Sequence, residues 1–283
     1  MGVNPNPNIA GVPGADGYQG EDQNFQARLS ILEWTKTAYQ LYPDSSPEDV
    51  ADAVAKDRIT WVNAIGVHDD GMVRAVGQAL GLHPLTIEDI LDTDQRTKVE
   101  HFGGYYFVVL KGFTGSGDEL QDDHVAIVFG PNFVATFQEK EQDVFAKVFS
   151  RIEHAQGRVR LRDHDYLAYA LMDTVVDKYL DMLDAMEDRI DAFEANDSEA
   201  LDDPKFPTLL HREKRKLLMM RRSLVPLRAG VVTMLKENTM EIAPENRPFF
   251  RDLSDHLSQA VETVDTLRDS LSGLLALHLS VIG

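Results

Sequence analysis

The sequence predicts a fold of the α+β or α/β class, in which a mixed β-sheet covered by helices is followed by a long antiparallel helical hairpin and a long last helix. Three observations lead to this prediction. Short strand-like segments alternate with short helical ones between residues 25 and 160. Residues 163–196 contain neither Gly nor Pro, as a long uninterrupted helix requires. From Leu253 to Val281, apolar side chains recur at steps of four and three, the spacing of a helix that packs lengthwise against other helices.

The composition limits the classes of function that the chain can serve. Its 283 residues are enough for a substantial core, and 43% of them are hydrophobic, as in folded soluble proteins. The formal net charge of −19 argues against nucleic acid as a partner, because binding a phosphate backbone needs a basic surface. The sequence has no cysteine, which excludes disulfides and a cysteine nucleophile. It has no signal peptide and no apolar run of roughly 20 residues, so we expect no membrane helix within it.

We divide the chain into four parts. Residues 1–24 are rich in Gly, Pro and Asn and lack periodicity, which is typical of a mobile tail. Residues 25–160 are predicted to form the α/β domain and residues 161–242 the helical hairpin. Residues 243–283 are the last helix, which we call the stalk.

The elements of the α/β domain follow from local patterns. Strands are predicted where β-branched and aromatic residues lie between turn residues. These strands cover residues 27–34, 37–42, 58–66, 105–113, 123–130 and 133–140. Short helices are predicted where the apolar residues follow a helical period, and two of them begin near Pro47 or Pro84. These helices cover residues 47–56, 69–81, 83–93 and 142–156.

The hairpin consists of two predicted helices, 163–196 and 208–238, joined by the turn-forming segment NDSEALDDPKFP. Pro226 lies inside the second helix and predicts a kink, because proline lacks the backbone donor and clashes with the preceding turn. The turn APENRP at 243–248 then leads into the stalk.

The stalk carries a heptad seam of residues spaced alternately by four and three. Its members are Leu253, Leu257, Ala260, Val264, Leu267, Leu271, Leu274, His278 and Val281. The seam allows two interpretations: one long helix of an antiparallel bundle, or a helix that meets copies of itself around an axis. The chain ends in the apolar segment LLALHLSVIG without a C-cap, so we expect more helix beyond it in the parent protein.

The first hairpin helix carries six aspartates within an arc of about 80°. This acidic stripe consists of Asp173, Asp177, Asp181, Asp184, Asp188 and Asp191. It is either a solvated face partly neutralised by the next helix, the more common case, or a surface whose field gathers cations. The basic residues of the next helix are His211, Arg212, Lys214, Arg215, Lys216, Arg221 and Arg222.

A second group of acidic residues offers the oxygen ligands that hard cations prefer. It comprises Glu88, Asp89, Asp92 and Asp94. No EF-hand loop, H-E-x-x-H, G-x-S-x-G or P-loop motif occurs, and the nine histidines are scattered. An enzymatic function therefore has only generic support, and we predict no catalytic residue.

The segment HPLTIEDILDTDQRTKVEHFGGYYFVVLKGF at 83–113 resembles the corresponding region of CorA-type divalent cation channels. FQEK with DVF at 137–145, DYLAYALMDTVVDKY at 165–179 and FFRDLSDH with SGLL at 249–275 are similar to further regions of that family, in the same order. The resemblance implies a homopentamer with a funnel-type domain on the cytoplasmic face of the inner membrane. Its stalk would continue into a pore-lining membrane helix. That helix and the family's Gly-Met-Asn motif are not within this chain.

The resemblance also implies a set of ion-sensing residues. Asp89 of one subunit is expected to face Asp252 of its neighbour, and Glu88, Asp173 and His256 match positions near a second, weaker site. Mg²⁺ is the first choice of ion, while Co²⁺, Ni²⁺ and Zn²⁺ are others that family members move. Mg²⁺ prefers oxygen and keeps several waters, so a few carboxylates at a subunit seam can hold it loosely. His256 is not expected to coordinate Mg²⁺ directly.

The resulting prediction is an ion-sensing regulatory domain of a CorA-like divalent cation channel. Its partners would be divalent cations and further copies of the chain, with membrane contact only through helices beyond the chain. Two rival functions are a soluble interaction or scaffold protein with the same fold and a metal-dependent hydrolase built on the carboxylates.

Overall fold

The computed structural model describes residues 17–20, 24–56, 58–114, 120–195, 205–237 and 239–282. Of the predicted mobile tail, residues 1–16 and 21–23 lie outside the described residues. Gln19, by contrast, is docked on the domain. Its backbone N–H donates to the Leu91 carbonyl at 2.9 Å, and its own carbonyl accepts from the Thr93 backbone N–H and hydroxyl. The prediction of a mobile tail is therefore wrong at this residue.

Strands and short helices alternate in the first half of the described chain, as predicted. The strands are β1 Arg28–Trp34, β2 Tyr39–Tyr42, β3 Ile59–Ile65, β4 Lys98–His101, β5 Tyr106–Thr114, β6 Gln121–Phe129 and β7 Phe133–Gln138. The helices are α1 Pro47–Val54, α2 Asp70–Ala79, α3 Pro84–Leu91, α4 Ala146–Glu153, α5 His164–Ala195, α6 Phe206–Lys236 and α7 Arg247–Ile282, with a short 3₁₀ helix at Val159–Leu161.

The described strands form one mixed sheet in the order β2-β1-β3-β7-β6-β5-β4. The central pair β3 and β7 is parallel, and the other neighbouring pairs are antiparallel. This confirms the predicted mixed sheet. Strand β4, which the sequence did not predict, pairs with β5 at the edge and is half-buried or exposed along its length.

The sheet is covered on both faces, so alternate residues of one strand enter different cores. In β6, Val125, Ile127 and Phe129 pack toward α5 and α7, whereas Ala126 and Val128 belong to the core that α1, α2 and α3 cover. All five are completely buried. This burial on both faces explains why the strand reads as a continuous apolar run.

Helices α5, α6 and α7 pack side by side, and the heptad seam lies inside this bundle. From Leu253 to His278 its members are at most 6% exposed within a single chain. They share one core with α6 residues such as Leu217 and Leu224 and with α5 residues such as Leu183. The interpretation of the seam as a self-association surface is therefore wrong, and the antiparallel bundle is correct. The side chain of Val281 lies outside the described residues.

The opposite face of α7 carries a second series of residues that are also spaced alternately by three and four positions. The residues of this series are exposed to solvent. Its members are Asp252, Asp255, Gln259, Glu262, Thr266, Asp269, Gly273, Ala276 and Ser280. We call it the outer face of α7. It is acidic at its beginning and carries small residues toward its end, where Leu277 and Leu279 are 48% and 63% exposed.

Candidate metal centre

The candidate centre lies where α5 and α7 pack together near their N-terminal ends. Aromatic rings fix this crossing, because Tyr169 of α5 packs against both Phe249 and Phe250 of α7, with ring centroids 5.5 and 6.1 Å apart. Phe250 is completely buried. The rings place Asp173, one turn after Tyr169, opposite His256 of α7.

Three side chains of this crossing converge, namely Asp173, Asp177 and His256. Each offers a ligand atom, and these atoms lie within 4.8 Å of one another. His256 Nδ1 is 3.3 Å from Asp173 Oδ1, while His256 Nε2 is 4.0 Å from Asp252 Oδ1. We call Asp173, Asp177 and His256 the α5–α7 cluster. It is the only group of three such residues that approach this closely within the described part of the chain.

The cluster is a region of negative potential. Burial raises the pKa of Asp177, and the neighbouring Asp173 carboxylate raises it further, although His256 acts in the opposite direction. Burial, followed by the charge of Asp173, also raises the pKa of Tyr169, whose hydroxyl donates to Asp173 Oδ2 at 3.2 Å. In both groups the charge of Asp173 adds to the effect of burial, and this smaller part of each pKa shift is the part that would favour a cation here.

The composition of the cluster indicates which ions it suits. Two carboxylates and an imidazole fit Co²⁺, Ni²⁺ or Zn²⁺ directly, because imidazole is a good ligand for such metals. Mg²⁺ would instead be held by the carboxylates through its water shell. The sequence predicted Asp173 and His256 here but not Asp177. The spacing of four between the two aspartates was the available signal, since it places them on one helix face.

Asp89 of α3 is already engaged within its own chain. Lys98 of β4 donates to Asp89 Oδ2 at 2.6 Å and to Glu100 at 2.9 Å, and the Gln95 side chain donates to Asp89 Oδ1. Burial opposes the charge on Lys98, but its hydrogen bonds to Asp89 and Glu100 outweigh this effect and raise its pKa. An ion that reaches Asp89 would therefore share this carboxylate with a lysine.

Asp89 and Asp252 lie on opposite sides of the sheet. Helix α3, which carries Asp89, covers one core through Ile90, whereas the start of α7 packs into the other core through Leu253. The two carboxylates predicted to form a pair therefore belong to separate faces of one chain. Asp252 remains exposed, with 58% of its side chain accessible, on the outer face of α7.

The other residues of the predicted acidic group do not join the α5–α7 cluster. Glu88 is half-buried on α3, one residue from Asp89. The Asp92 side chain accepts the backbone N–H of Asp94 at 3.1 Å and so stabilises the turn after α3. This turn leads into β4, which brings Lys98 to Asp89.

The acidic stripe of α5 is exposed at Asp181, Asp184 and Asp188. The neighbouring α6 cations were expected to neutralise it in part. Arg221 instead pairs with Asp265 of α7 at 2.8 Å, and Lys214 donates to Ser272 of α7 at 3.0 Å. These two cations thus tie α6 to α7 and leave the stripe facing solvent.

Among the described helices, none combines the length and the apolar composition that crossing a bilayer requires.

Comparison with known proteins places this geometry in context. Residues 56–283 match the family described as CorA-like Mg²⁺ transporter protein. The chain is 36% identical over 275 residues to the cobalt/magnesium transport protein CorA of Thermotoga maritima, which covers 95% of this chain and 77% of that protein. It is 30% identical over 219 residues to the magnesium transporter ALR1 of Saccharomyces cerevisiae, covering 76% of this chain and 24% of that protein.

The fold also matches solved structures. The soluble domain of CorA from Methanocaldococcus jannaschii superposes with a TM-score of 0.73 at 19% identity, over 88% of this chain and 96% of that one. The complete CorA magnesium transporter of the same organism gives a TM-score of 0.74 at 18% identity, over 89% of this chain and 77% of that one. At these identities the likeness supports the fold alone. This confirms a mixed sheet followed by a long hairpin and a long last helix.

Proposed function

The chain belongs to the CorA-like Mg²⁺ transporter family, and we propose on that basis that it is the ion-sensing regulatory part of a divalent cation transporter at the cytoplasmic face of the inner membrane. The named relatives are transport proteins rather than enzymes, so the metal-dependent hydrolase is set aside. The observation that carries the proposal is the convergence of Asp173, Asp177 and His256 beside Asp252 at the start of α7.

The sensed ion is proposed to be Mg²⁺, which would also be transported, with Co²⁺, Ni²⁺ or Zn²⁺ as alternatives. Both oxygens of Asp89 already accept hydrogen bonds from its own chain. Water-mediated binding suits such a site, because Mg²⁺ gives up its water shell reluctantly. Such loose binding is appropriate for sensing an abundant ion.

Sensing is proposed to occur between copies of the chain. The sheet separates Asp89 from Asp252 within one chain, so the two can meet only if α3 of one copy approaches the outer face of α7 of the next. Without an ion, the facing carboxylates repel each other. An ion shifts the equilibrium from the open assembly toward the closed, symmetric one, and the shift equals the difference in the ion's binding free energy between these two states. A difference on the order of 1 kcal/mol at each subunit interface adds up over several interfaces.

Assembly is proposed to use the outer face of α7, since the heptad seam is already buried against α5 and α6. Helices that approach one another through small residues can pack closely, and the outer face ends in Gly273, Ala276 and Ser280. Five copies would then surround a common axis at the end of α7 that carries these small residues, while Asp252 near the other end faces α3 of the next copy.

Replacing Asp252 with Lys is expected to imitate the bound ion, because a fixed positive charge would face Asp89 of the next copy. The Asp252→Lys chain should resist limited proteolysis without Mg²⁺ about as well as the unaltered chain does with it. Added Mg²⁺ should then change its digestion rate little. Sedimentation of the Asp252→Lys chain and the unaltered chain, at the protein concentration used for proteolysis, reports whether each of them is assembled.

Asp255→Lys is the matched control, since it makes the same change one turn further along the same exposed face. It should leave the response to Mg²⁺ largely intact. The proposal fails if Asp252→Lys stays as sensitive to protease as the ion-free parent and still responds fully to Mg²⁺. If Mg²⁺ changes the digestion rate of neither the parent nor either variant, the result would favour the alternative, a soluble interaction protein with the same fold.

The acidic stripe is proposed to gather cations near the transporter. Changing Asp181, Asp184 and Asp188 together to Asn should lower Mg²⁺ accumulation by the full-length protein more at low ionic strength than at high, because salt screens exposed charges. Neutralising Asp44, Asp52 and Glu141, which are also exposed, is the control for total charge. An effect that does not depend on ionic strength would identify the stripe as an ordinary solvated face.

A further inference from the structure

A cleft of about 610 Å³ lies at the end of β1 and is separate from the α5–α7 cluster. The segments around it are the β1–β2 turn, the α1–β3 turn, the β6–β7 turn and the start of α5. Its lining is rich in cations: Lys36, Lys56, Arg58, Arg160 and Arg162. We call it the basic cleft. Five cationic side chains in one cleft are unexpected in a chain whose net charge is −19.

The positive charge of the cleft is only partly compensated. Asp163 is the one acidic residue in its described lining. Behind the lining, the buried carboxylate of Glu33 accepts from Lys56 at 2.6 Å and from Arg58 at 3.0 Å. Among the described residues this leaves a surplus of three positive charges. A positive surplus in a concave surface concentrates anions.

The arginines are held in place before any ligand arrives. The Arg160 guanidinium lies over the Tyr39 ring at 4.8 Å and donates to the Glu153 carbonyl at 3.0 Å. Arg162 donates to the side chain of Asn246 at 3.0 Å, and its guanidinium lies over the ring of Phe249, 5.3 Å from the ring centre. A guanidinium that is already positioned loses less freedom when it binds an anion.

The cleft also contains buried donors that have no partner. The indole N–H of Trp34 and the Nε of Arg160 are inaccessible to solvent and lack a hydrogen-bond partner among the described residues. Both residues line this cleft, and Trp34 is only 1% exposed. A buried donor without an acceptor costs stability, so a ligand that supplies acceptor oxygens would satisfy it.

We propose that the basic cleft binds a small polyvalent oxyanion, namely the phosphate groups of a nucleotide or of free pyrophosphate. Phosphate combines multiple negative charge with several acceptor oxygens, which is what the surplus cations and unpartnered donors require. The site is independent of the metal proposal, because it shares no residue with the α5–α7 cluster. It does contact the helical bundle, since Arg162 binds Asn246 immediately before α7.

Isothermal titration of the chain with pyrophosphate and with ATP, without divalent cations, tests the site. Both probes should bind, and affinity should fall as salt rises. The double variant Lys36→Gln, Arg160→Gln should weaken binding at least about tenfold, because hydrogen bonds to charged groups are lost. Trp34→Phe should weaken it by a smaller factor, since only one donor disappears while the aromatic ring is kept. Thermal unfolding of each variant verifies that the fold is retained.

Arg215→Gln is the control, because it removes a positive charge from an exposed position on α6 outside the cleft. It should leave the affinity unchanged. Tighter binding of ATP than of pyrophosphate would support a nucleotide, and equal or weaker binding of ATP would support free pyrophosphate. The proposal is overturned if neither probe binds the unaltered chain, or if Arg215→Gln weakens binding as much as the double variant.

Discussion

Replacing both Leu267 and Leu271 with Asp is expected to unfold the bundle of α5, α6 and α7. The two leucines are 3% and 1% exposed, and they face the other two helices of their own chain. Removing a buried leucine side chain costs about 2–5 kcal/mol. Each new carboxylate would also be buried without a partner, at a further cost of several kcal/mol. The total is comparable with the whole stability of a typical domain, about 5–15 kcal/mol.

Far-ultraviolet circular dichroism and urea unfolding would measure this loss. Gln259→Asp with Thr266→Asp is the control, since it adds two carboxylates to the same helix on its exposed outer face. That variant should stay folded. If the leucine variant keeps the unfolding midpoint of the parent and loses only self-association in sedimentation, the seam must join copies of the chain and the observed packing is not the one in solution.

The seam illustrates what periodicity can and cannot predict. Alternating steps of three and four predicted that α7 packs lengthwise, and the burial of Leu253, Leu257 and Leu267 confirms this. The same pattern fits any apolar partner, so it could not tell the chain's own α5 and α6 from a second copy. That choice depends on how the hairpin folds back, which no local pattern encodes.

The edge of the sheet was harder to predict. Strand β4 has only four residues, KVEH, three of which are polar or charged, and it lacks the alternating buried face of a longer strand. Because β4 was not predicted, the ion pair of Asp89 was not predicted either, since Lys98 reaches Asp89 from this strand. The sequence thus located a carboxylate but not the cation that engages it.

The candidate site was only partly predictable. The resemblance pointed to Asp173 and His256, and the structure brings these two together. Asp177 completes the α5–α7 cluster because α5 and α7 cross at this level, and such a crossing is a tertiary property. The basic cleft has the same origin, since its cations come from three segments that are distant in sequence.

Asp123→Asn is expected to stabilise the chain at high pH. Asp123 is completely buried on β6, where Oδ1 accepts the Lys140 backbone N–H at 3.3 Å and Oδ2 has no partner among the described residues. Burial, with a smaller contribution from the Glu139 carboxylate, raises the pKa of Asp123 to about 7. In the unfolded chain it should lie near its ordinary value of about 4.

Proton linkage determines whether the free energy of unfolding rises or falls with pH. Below about pH 4 both states carry the proton, so the group does not affect the free energy of unfolding. Between about pH 4 and 7 the folded state holds a proton that the unfolded state releases, so stability falls as pH rises. Above about pH 7 both states are ionised and the full penalty applies, on the order of 4 kcal/mol. Asparagine keeps the carbonyl that Lys140 needs and has no charge to bury.

Urea unfolding at several pH values from mildly acidic to mildly alkaline would test this. The advantage of Asp123→Asn over the parent should be small under the acidic conditions and should grow until the pH exceeds about 7. Asp122→Asn is the matched control on the same strand, where the side chain is 53% exposed. It should follow the pH dependence of the parent. Parallel curves for Asp123→Asn and the parent would mean that the folded chain does not bury an ionised Asp123, because removing its charge would then have relieved no penalty.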